Sequence, residues 1–476
     1  MPQHSLSIRF KHISCSRLQP SLTNAPTKYL IFKYSYVNIQ IATNYSNDIR
    51  YLCAMTVTKT TYALLLVMAA LLVPSMTIDA ETAYHTRQDS ILLYENPALD
   101  KLLDIQNTMT DIVFKDESAL NNRKPSFRLV PGINRNPGYG FSLGIGGAVS
   151  FYTDSADWSL RRSDIPVYFG FALSKPFSFR VTADPVFYFN GNKLKLSANI
   201  MYRNWLEYYY GVGYTTNKST KRDKDYNTYK SEMIQFAPKI QFKLFPYLYA
   251  GIALDIWHET VTHPTQFLLS DPYYMSMLGT DEKASATGTG AGINLNYDSR
   301  DFPNDAYHGA LLDLSAMIYT SILGGNAKYG TLAIDYRQYC QLGERKRVIA
   351  WNITSNNVFG NNIPFTRYAT IGGINDFRGY YDYQYRDKSI LTAQLEYRHM
   401  LEIDSEWGIL LNRFGFATWA GVGFMGSNPV KYNAVLPQVG AGLRFAVRDR
   451  LNFRLDVAYN TVDSDVLWYF SFSEAF

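Results

Sequence analysis

Cysteine is scarce. The chain has three in 476 residues, Cys15, Cys53 and Cys340, with no metal-ligand spacing among them. That argues against a zinc site or a disulfide framework. A strong excess of one charge is also missing: 46 basic against 41 acidic residues leave +5, which gives no case for a nucleic-acid partner. Long apolar runs are rare as well, with a mean hydropathy of −0.18. A polytopic helical membrane protein needs repeated runs of about 20 apolar residues, and this chain does not supply them. Catalytic signatures fare no better. His258, Glu259 and His263 place the second histidine five residues from the first, outside any helical pattern, so a metalloprotease helix is not expected. The glycines of 144–147 and 288–292 open no helix in a βαβ unit, and no Gly-Lys-Ser/Thr follows. They fit curvature and close packing in strands rather than phosphate binding. An esterase reading is set aside. Paired acids such as Asp313 and Asp335 are read as part of a charge network and not as an acid–base pair. No enzyme activity, cofactor or metal is expected.

What the chain does have is aromatic residues in alternation: 38 Tyr, 28 Phe and 7 Trp. Between Leu451 and Asn460, Leu451, Phe453, Leu455, Val457 and Tyr459 share one face; Asn452, Arg454, Asp456 and Asn460 share the other. Leu391, Ala393, Leu395 and Tyr397 oppose Thr392, Gln394, Glu396 and Arg398 in the same way. Leu332, Ile334 and Tyr336 likewise oppose Asp335 and Arg337. A register slip by one residue would turn these charges into lipid, at about 2–4 kcal/mol for a basic group near the midplane. In the last stretch, Val466 to Phe476, Trp468, Phe470, Phe472 and Phe476 fall on one face. Aromatics on the outer face of a strand whose backbone is fully paired in a closed sheet are the pattern of an outer-membrane barrel. The final residue, Phe476, is read as the closing strand's last lipid contact.

Strands are predicted at 139–152, 163–174, 177–190, 193–203, 205–216, 229–244, 246–260, 284–299, 308–321, 327–341, 346–358, 388–402, 409–424, 435–447, 450–461 and 466–476. The fold class is therefore all-β, an antiparallel transmembrane β-barrel of about 16 strands, an even number that suits a bacterial barrel. Tight connectors at 175–176, 245–246, 343–346 and 448–450 alternate with a set that includes long ones at 217–228, 261–283 and 359–387. Short periplasmic turns and longer outer loops give this asymmetry. By that count 359–387 is the sixth outer loop.

Upstream, the basic start Met55–Lys59, the apolar core Tyr62–Val73 and the break at Pro74 and Ser75 read as a secretory signal peptide over 55–80, too short to span a bilayer. Signal peptides belong at the N-terminus, so residues 1–54 are read as a non-native upstream extension. Residues 81–126 form a short periplasmic segment, too short for an array of α/β modules. The barrel occupies 127–476, and the expected location is the bacterial outer membrane.

The sixth outer loop carries Ile371-Gly-Gly-Ile-Asn-Asp-Phe-Arg-Gly-Tyr380, and Leu391-Thr-Ala-Gln-Leu-Glu-Tyr-Arg398 follows it. This arrangement resembles the BamA/TamA-like outer-membrane insertase superfamily, the bacterial surface antigen barrels. The stretches 297–309, 137–146, 209–213 and 440–444 resemble other parts of the same barrels. The resemblance implies a sixth loop folded into the lumen, a loop-tip motif of Gly372, Gly373, Arg378, Gly379 and Tyr380, and a strand acid, Glu396, as the lumen partner of Arg378. Arg suits that role because its planar fork matches a carboxylate. The family often has a second acid in a Phe-x-Asp-x-Gly-like run. Here the run is Phe416-Ala-Thr-Trp-Ala-Gly421 and lacks it, with Asp456 as the substitute. The resemblance further implies Phe476 as a C-terminal assembly signal, and a member without periplasmic POTRA modules. The implied function is outer-membrane protein assembly or translocation by strand pairing at the barrel seam, directly or as an accessory. Outer-membrane lipid and client proteins or assembly-complex subunits would be the partners. A passive channel or transporter, or a structural surface antigen, stays open as the alternative.

Overall fold

A computed structural model of the chain describes residues 125–153, 161–173, 177–275, 277–279, 283–303, 305–343, 346–403, 411–448 and 451–476. The expected extension, 1–54, and signal peptide, 55–80, lie outside them, as does the expected periplasmic segment, 81–126, apart from its last two residues, of which Ser126 belongs to the first strand. Sixteen antiparallel strands close on themselves. They are β1 Ser126–Asn136, β2 Gly140–Phe151, β3 Ser163–Ala172 and β4, which runs in two pieces, Ser178–Ala183 and Val186–Phe189. Next come β5 Leu194–Tyr208, β6 Thr228–Phe245, β7 Leu248–Thr262, β8 Lys283–Asp298, β9 Gly309–Tyr319 and β10 Lys328–Gln341. The last six are β11 Arg347–Asn362, β12 Ser389–Met400, β13 Phe414–Asn428, β14 Lys431–Arg448, β15 Leu451–Asn460 and β16 Val466–Phe472. No helix among the described residues is long and apolar enough to cross a membrane.

The alternation fixes which face points where. Ile252, Leu254, Ile256, Ile293, Leu395, Leu443, Val457 and Trp468 are exposed on the outer face, while Trp257, Glu259, Gln394, Glu396, Arg444 and Asp456 are buried in the lumen. The barrel is thus inside-out: its core is a ring of polar and aromatic side chains around whatever fills the tube. At the long-loop end the filling is aromatic, with Tyr209, Tyr229, Trp257, Phe365, Phe377, Tyr380 and Tyr385 in one buried cluster.

Two predicted strands differ from those found, and the differences cancel in the count. The first strand is Ser126–Asn136, upstream of the predicted 139–152. Its Pro131-Gly132 pair and its Asn134-Arg135-Asn136 end read as loop, yet it pairs with β2 along its whole length. Conversely, 193–203 and 205–216 are not two strands. The chain is one strand to Tyr208, then leaves the sheet and forms the short helix Tyr214–Ser219. The added strand restores sixteen but shifts the phase of the early connectors. The connector 173–177 therefore lies at the same end as 209–227, not among the short turns opposite. From β6 onward the predicted phase and the observed one coincide, so 363–388 is the sixth connector at the long-loop end.

Closure is uneven. β1 and β2 are registered over eleven pairs, Ser126↔Ser150 to Asn136↔Gly140, and β15 and β16 over seven. β1 and β16 share one pair, Arg135↔Phe470. Side chains add to the seam. Arg135 donates to the Trp468 carbonyl at 2.8 Å and lies 3.2 Å from the centre of the Trp468 ring, and Ser471 Oγ donates to Asn134 Oδ1 at 2.8 Å.

The chain's last residues correct a second expectation. β16 stops at Phe472. Ser473, at φ 63°, turns the chain inward, and Phe476 is buried against Ala306, Tyr339, Val348 and Ala350. Phe476 is not a lipid contact. A single positive-φ residue breaks the alternation on which that reading relied.

Candidate functional site: a loop tip held in the barrel lumen

The sixth connector enters the lumen as a small hairpin whose arms, Ala369–Ile371 and Tyr385–Asp387, pair with each other. Gly372, at φ 115°, turns the first arm into the tip. A Cβ there would overlap the Tyr381 carbonyl oxygen, so no other residue fits this turn. Gly373 and Gly379 are likewise at positive φ.

Arg378 stands at the end of the tip, 1% exposed. Its Nη2 donates to Glu396 of β12 and its Nη1 donates to Asp456 of β15 at 2.8 Å. Its guanidinium lies 3.6 Å from the ring centre of Trp419 on β13. Trp419 is registered directly opposite Glu396, in the run that lacks the family's second acid, and Asp456 provides that acid from two strands further on. A cation over an indole face gains about 2 kcal/mol when desolvated, so the substituted position still grips the arginine. Trp419 is itself held by an Nε1 bond to Gln438 Oε1 at 2.8 Å. It lies flat because its neighbour across the ladder is Gly440, where a Cβ would overlap the indole.

The rest of the tip is bonded as densely. Tyr469 Oη accepts from the Gly379 amide at 2.8 Å and donates to the Tyr380 carbonyl at 3.2 Å. Asn460 donates to the Gly379 carbonyl at 2.6 Å, and Tyr380 Oη to the Pro437 carbonyl at 2.8 Å. Arg454 donates to the Ile374 carbonyl at 3.0 Å and to Asn375 Oδ1 at 2.5 Å. Near the tip's outer end, Tyr385 Oη donates to Asp463 at 2.9 Å and Gln384 donates to the same carboxylate at 3.1 Å. Burial of Asp463, in the turn between β15 and β16, holds its pKa above the usual carboxylate value.

Beneath the tip the charges form a network. Arg398 donates to Glu396 at 2.7 Å, Arg444 to Asp456 at 2.6 Å and to Glu474 at 2.9 Å, and Arg454 to Asp456 at 2.9 Å. Four guanidiniums thus meet three carboxylates, all almost fully buried. Buried charges persist when paired and hydrogen-bonded in this way.

A second anchor escaped the sequence reading. Glu259, there weighed as part of a metal motif, is a fully buried lumen acid on β7. It accepts from Ser231 at 2.6 Å, from Thr366 at 2.7 Å and from Arg203 at 3.1 Å, and Arg367 lies 3.5 Å away. Arg367 also stacks over Trp257 at 3.9 Å. Thr366 and Arg367 belong to the base of the sixth loop, so the loop is held at its base by β5–β7 and at its tip by β12–β16. The signal was present: Asp255, Trp257, Glu259 and Val261 share the lumen parity of β7. No group of residues that could hold a metal ion occurs among the described residues. Asp313 lies 3.9 Å from Lys239 and Asp335 2.6 Å from Arg337, both in ion pairs of the lumen wall. Gly140-Phe-Ser-Leu-Gly144 does have the Gly-x-Ser-x-Gly spacing of an esterase nucleophile. It lies inside β2, with no strand-to-helix turn to present Ser142 as a nucleophile.

The family model described as "Omp85 superfamily domain" matches residues 172–476. The chain belongs to the Omp85 superfamily. Among solved structures, this Omp85 barrel is similar to BamA from Haemophilus ducreyi lacking POTRA domains 1–3, with 13% identity, a TM-score of 0.52 and coverage of 74% of this chain and 70% of that one. It is also similar to CdiB from Acinetobacter baumannii, with 12% identity, a TM-score of 0.46 and coverage of 74% and 60%. CdiB from Escherichia coli aligns at 11% identity with a TM-score of 0.47, covering 78% and 70%. At 13% identity the likeness to BamA speaks for the fold alone. No curated protein sequence matches.

Proposed function

We propose that this Omp85 barrel resides in the bacterial outer membrane and acts in, or as an accessory to, the assembly or translocation of outer-membrane proteins. The mechanism is strand pairing at the seam, with no chemical step and no cofactor. The observation that carries the reading is the single registered pair between β1 and β16 beside the eleven that join β1 to β2. Where side chains replace a ladder, parting the strands breaks few backbone hydrogen bonds, and each freed edge offers amides and carbonyls to an incoming strand. The filled lumen supports the same reading over a passive channel, because the sixth loop and its ion pairs occupy the space a wide aqueous path would need. Client strands and outer-membrane lipid are the proposed partners, and Arg378 and Glu396 the residues that keep the loop in place.

The test is a locked seam. In a Cys340→Ser background, Arg135→Cys with Phe470→Cys allows a disulfide across the one registered pair. Oxidation should abolish assembly of client barrels in reconstituted membranes, and reduction should restore it. Equal client assembly by oxidised and reduced protein would overturn the proposal, and a large steady conductance unaffected by the lock would favour the channel.

A further inference from the structure

The inward turn of residues 473–476 ties the seam strand to the lumen. The Ser473 amide donates to the Asn452 carbonyl at 2.8 Å. Glu474 accepts from Arg444 Nε at 2.9 and 3.0 Å and from Asn452 at 3.0 Å, and lies 3.7 Å from Arg398. Arg398 Nη2 donates to the main-chain oxygen of Phe476, the chain's last residue, at 2.9 Å. The same two arginines serve the loop tip: Arg398 pairs with Glu396, and Arg444 pairs with Asp456. Each acid that grips Arg378 is therefore one guanidinium away from Glu474. We propose that residues 473–476 are a latch on the seam strand whose hold depends on the loop tip, because Arg378 and Glu474 share the Arg398–Arg444 pair through Glu396 and Asp456.

The direction follows from charge. With Arg378 in place, Glu396 and Asp456 have a cation of their own, and Arg398 and Arg444 are free to hold Glu474. When the tip withdraws, three guanidiniums remain for the three side-chain carboxylates and the main-chain oxygen of Phe476, and Glu396 and Asp456 draw Arg398 and Arg444 towards themselves. Glu474 then loses part of its partnership, and the end of β16 is released. Withdrawal of the loop thus loosens the strand that has the fewest backbone bonds to its neighbour. This inference rests on the seam being the working part of the barrel.

The experiment reads the tail directly. A barrel carrying Cys340→Ser and Ala475→Cys, folded in liposomes and confirmed as heat-modifiable, is treated with a membrane-impermeant maleimide and its labelling rate measured. Glu474→Gln should raise that rate. Arg378→Ala, whose substitution site is remote from the tail in sequence, should raise it about tenfold, within the usual range for coupled sites. The two together should do no more than the larger alone, as expected of residues in one network. Arg378→Lys, which keeps the charge and secures folding, should give an intermediate rate. An unchanged rate in Arg378→Ala and Arg378→Lys, or effects that multiply in the double variant, would overturn the latch. No client enters this measurement, so a barrel that passes it and yet moves no client fails the assembly proposal alone.

Discussion

Replacing Arg378 by alanine removes two charge-assisted hydrogen bonds, to Glu396 and Asp456, and the stacking on Trp419. Hydrogen bonds to charged groups contribute about 1.5–3 kcal/mol each, and a desolvated cation–π contact about 2 kcal/mol. Truncating one partner of an isolated buried pair costs about 3–5 kcal/mol, largely as the cost of the charge left behind. Here neither acid is left alone, since Glu396 keeps Arg398 and Asp456 keeps Arg444 and Arg454. The loss of tip anchoring should therefore fall at the lower end, about 3 kcal/mol, which is on the order of a hundredfold rise in the open fraction of the tip. Amide hydrogen exchange across 371–380 is the assay, run on folded protein in detergent. Protection there should fall by about two orders of magnitude, while strands β6–β8, to which Arg378 is not hydrogen-bonded, keep theirs. Arg378→Lys should recover only part, because it keeps the charge and loses the fork. Unchanged protection at 371–380 in Arg378→Ala would refute the reasoning, as would an equal loss in β6–β8, which would indicate global unfolding instead.

N-terminal sequencing of the protein from outer membranes should find a start near Glu81, and a peptide from within 1–54 would defeat that expectation. Deleting Phe476 should impair assembly, read as the yield of heat-modifiable barrel, because it removes a buried aromatic whose loss typically costs about 3–5 kcal/mol along with the proposed assembly signal. Gly440→Ala should displace Trp419 and cost about 1–3 kcal/mol, visible as a changed tryptophan fluorescence spectrum and lower denaturant resistance. Asp463 has a native pKa raised by burial, so its contribution to docking of the loop is fully present below its ordinary value of about 4 and is lost as pH rises through the raised one. Asp463→Asn should accordingly protect Tyr385 from exchange at neutral pH at least as well as the native residue, and weaker protection would contradict the sign.

Alternation made the barrel legible. Period-two patterning in β12 and β15 puts Glu396 and Asp456 on the lumen face, and the family resemblance carried by Gly372-Gly373 and Arg378-Gly379-Tyr380 implies the loop tip. What the pattern could not carry was local departure from it. β1 is not legible because Pro131, Gly132 and the polar Asn134–Asn136 end resemble a loop. The stretch after Tyr208 reads as a strand because Tyr209 and Tyr210 are β-favouring residues; in the structure they are buried outside the sheet. Two opposite errors left the count of strands right, which shows that an even total is weak support for each strand in it. The lumen parity of Glu259 is legible in the alternation of β7, but its anchoring role is not, since its partners Arg203, Ser231, Thr366 and Arg367 come from three separate segments. The lost aspartate in 416–421 was legible; that an indole would receive the arginine in its place was not, because a stacking geometry leaves no mark in spacing.

The two-ended attachment of the sixth loop has a mechanical meaning. A tube held together only around its circumference resists stretching well and flattening poorly, because ovalising it bends the sheet without breaking any hoop bond. A member fixed to β7 at one end and to β12 and β15 at the other acts as a diagonal tie across the bore. Lateral load from the surrounding bilayer on one wall is then carried straight to the opposite wall rather than around the rim, and the narrow joint between β1 and β16 is spared it. Cutting either fastening would leave every strand pair intact and still make the cylinder soft.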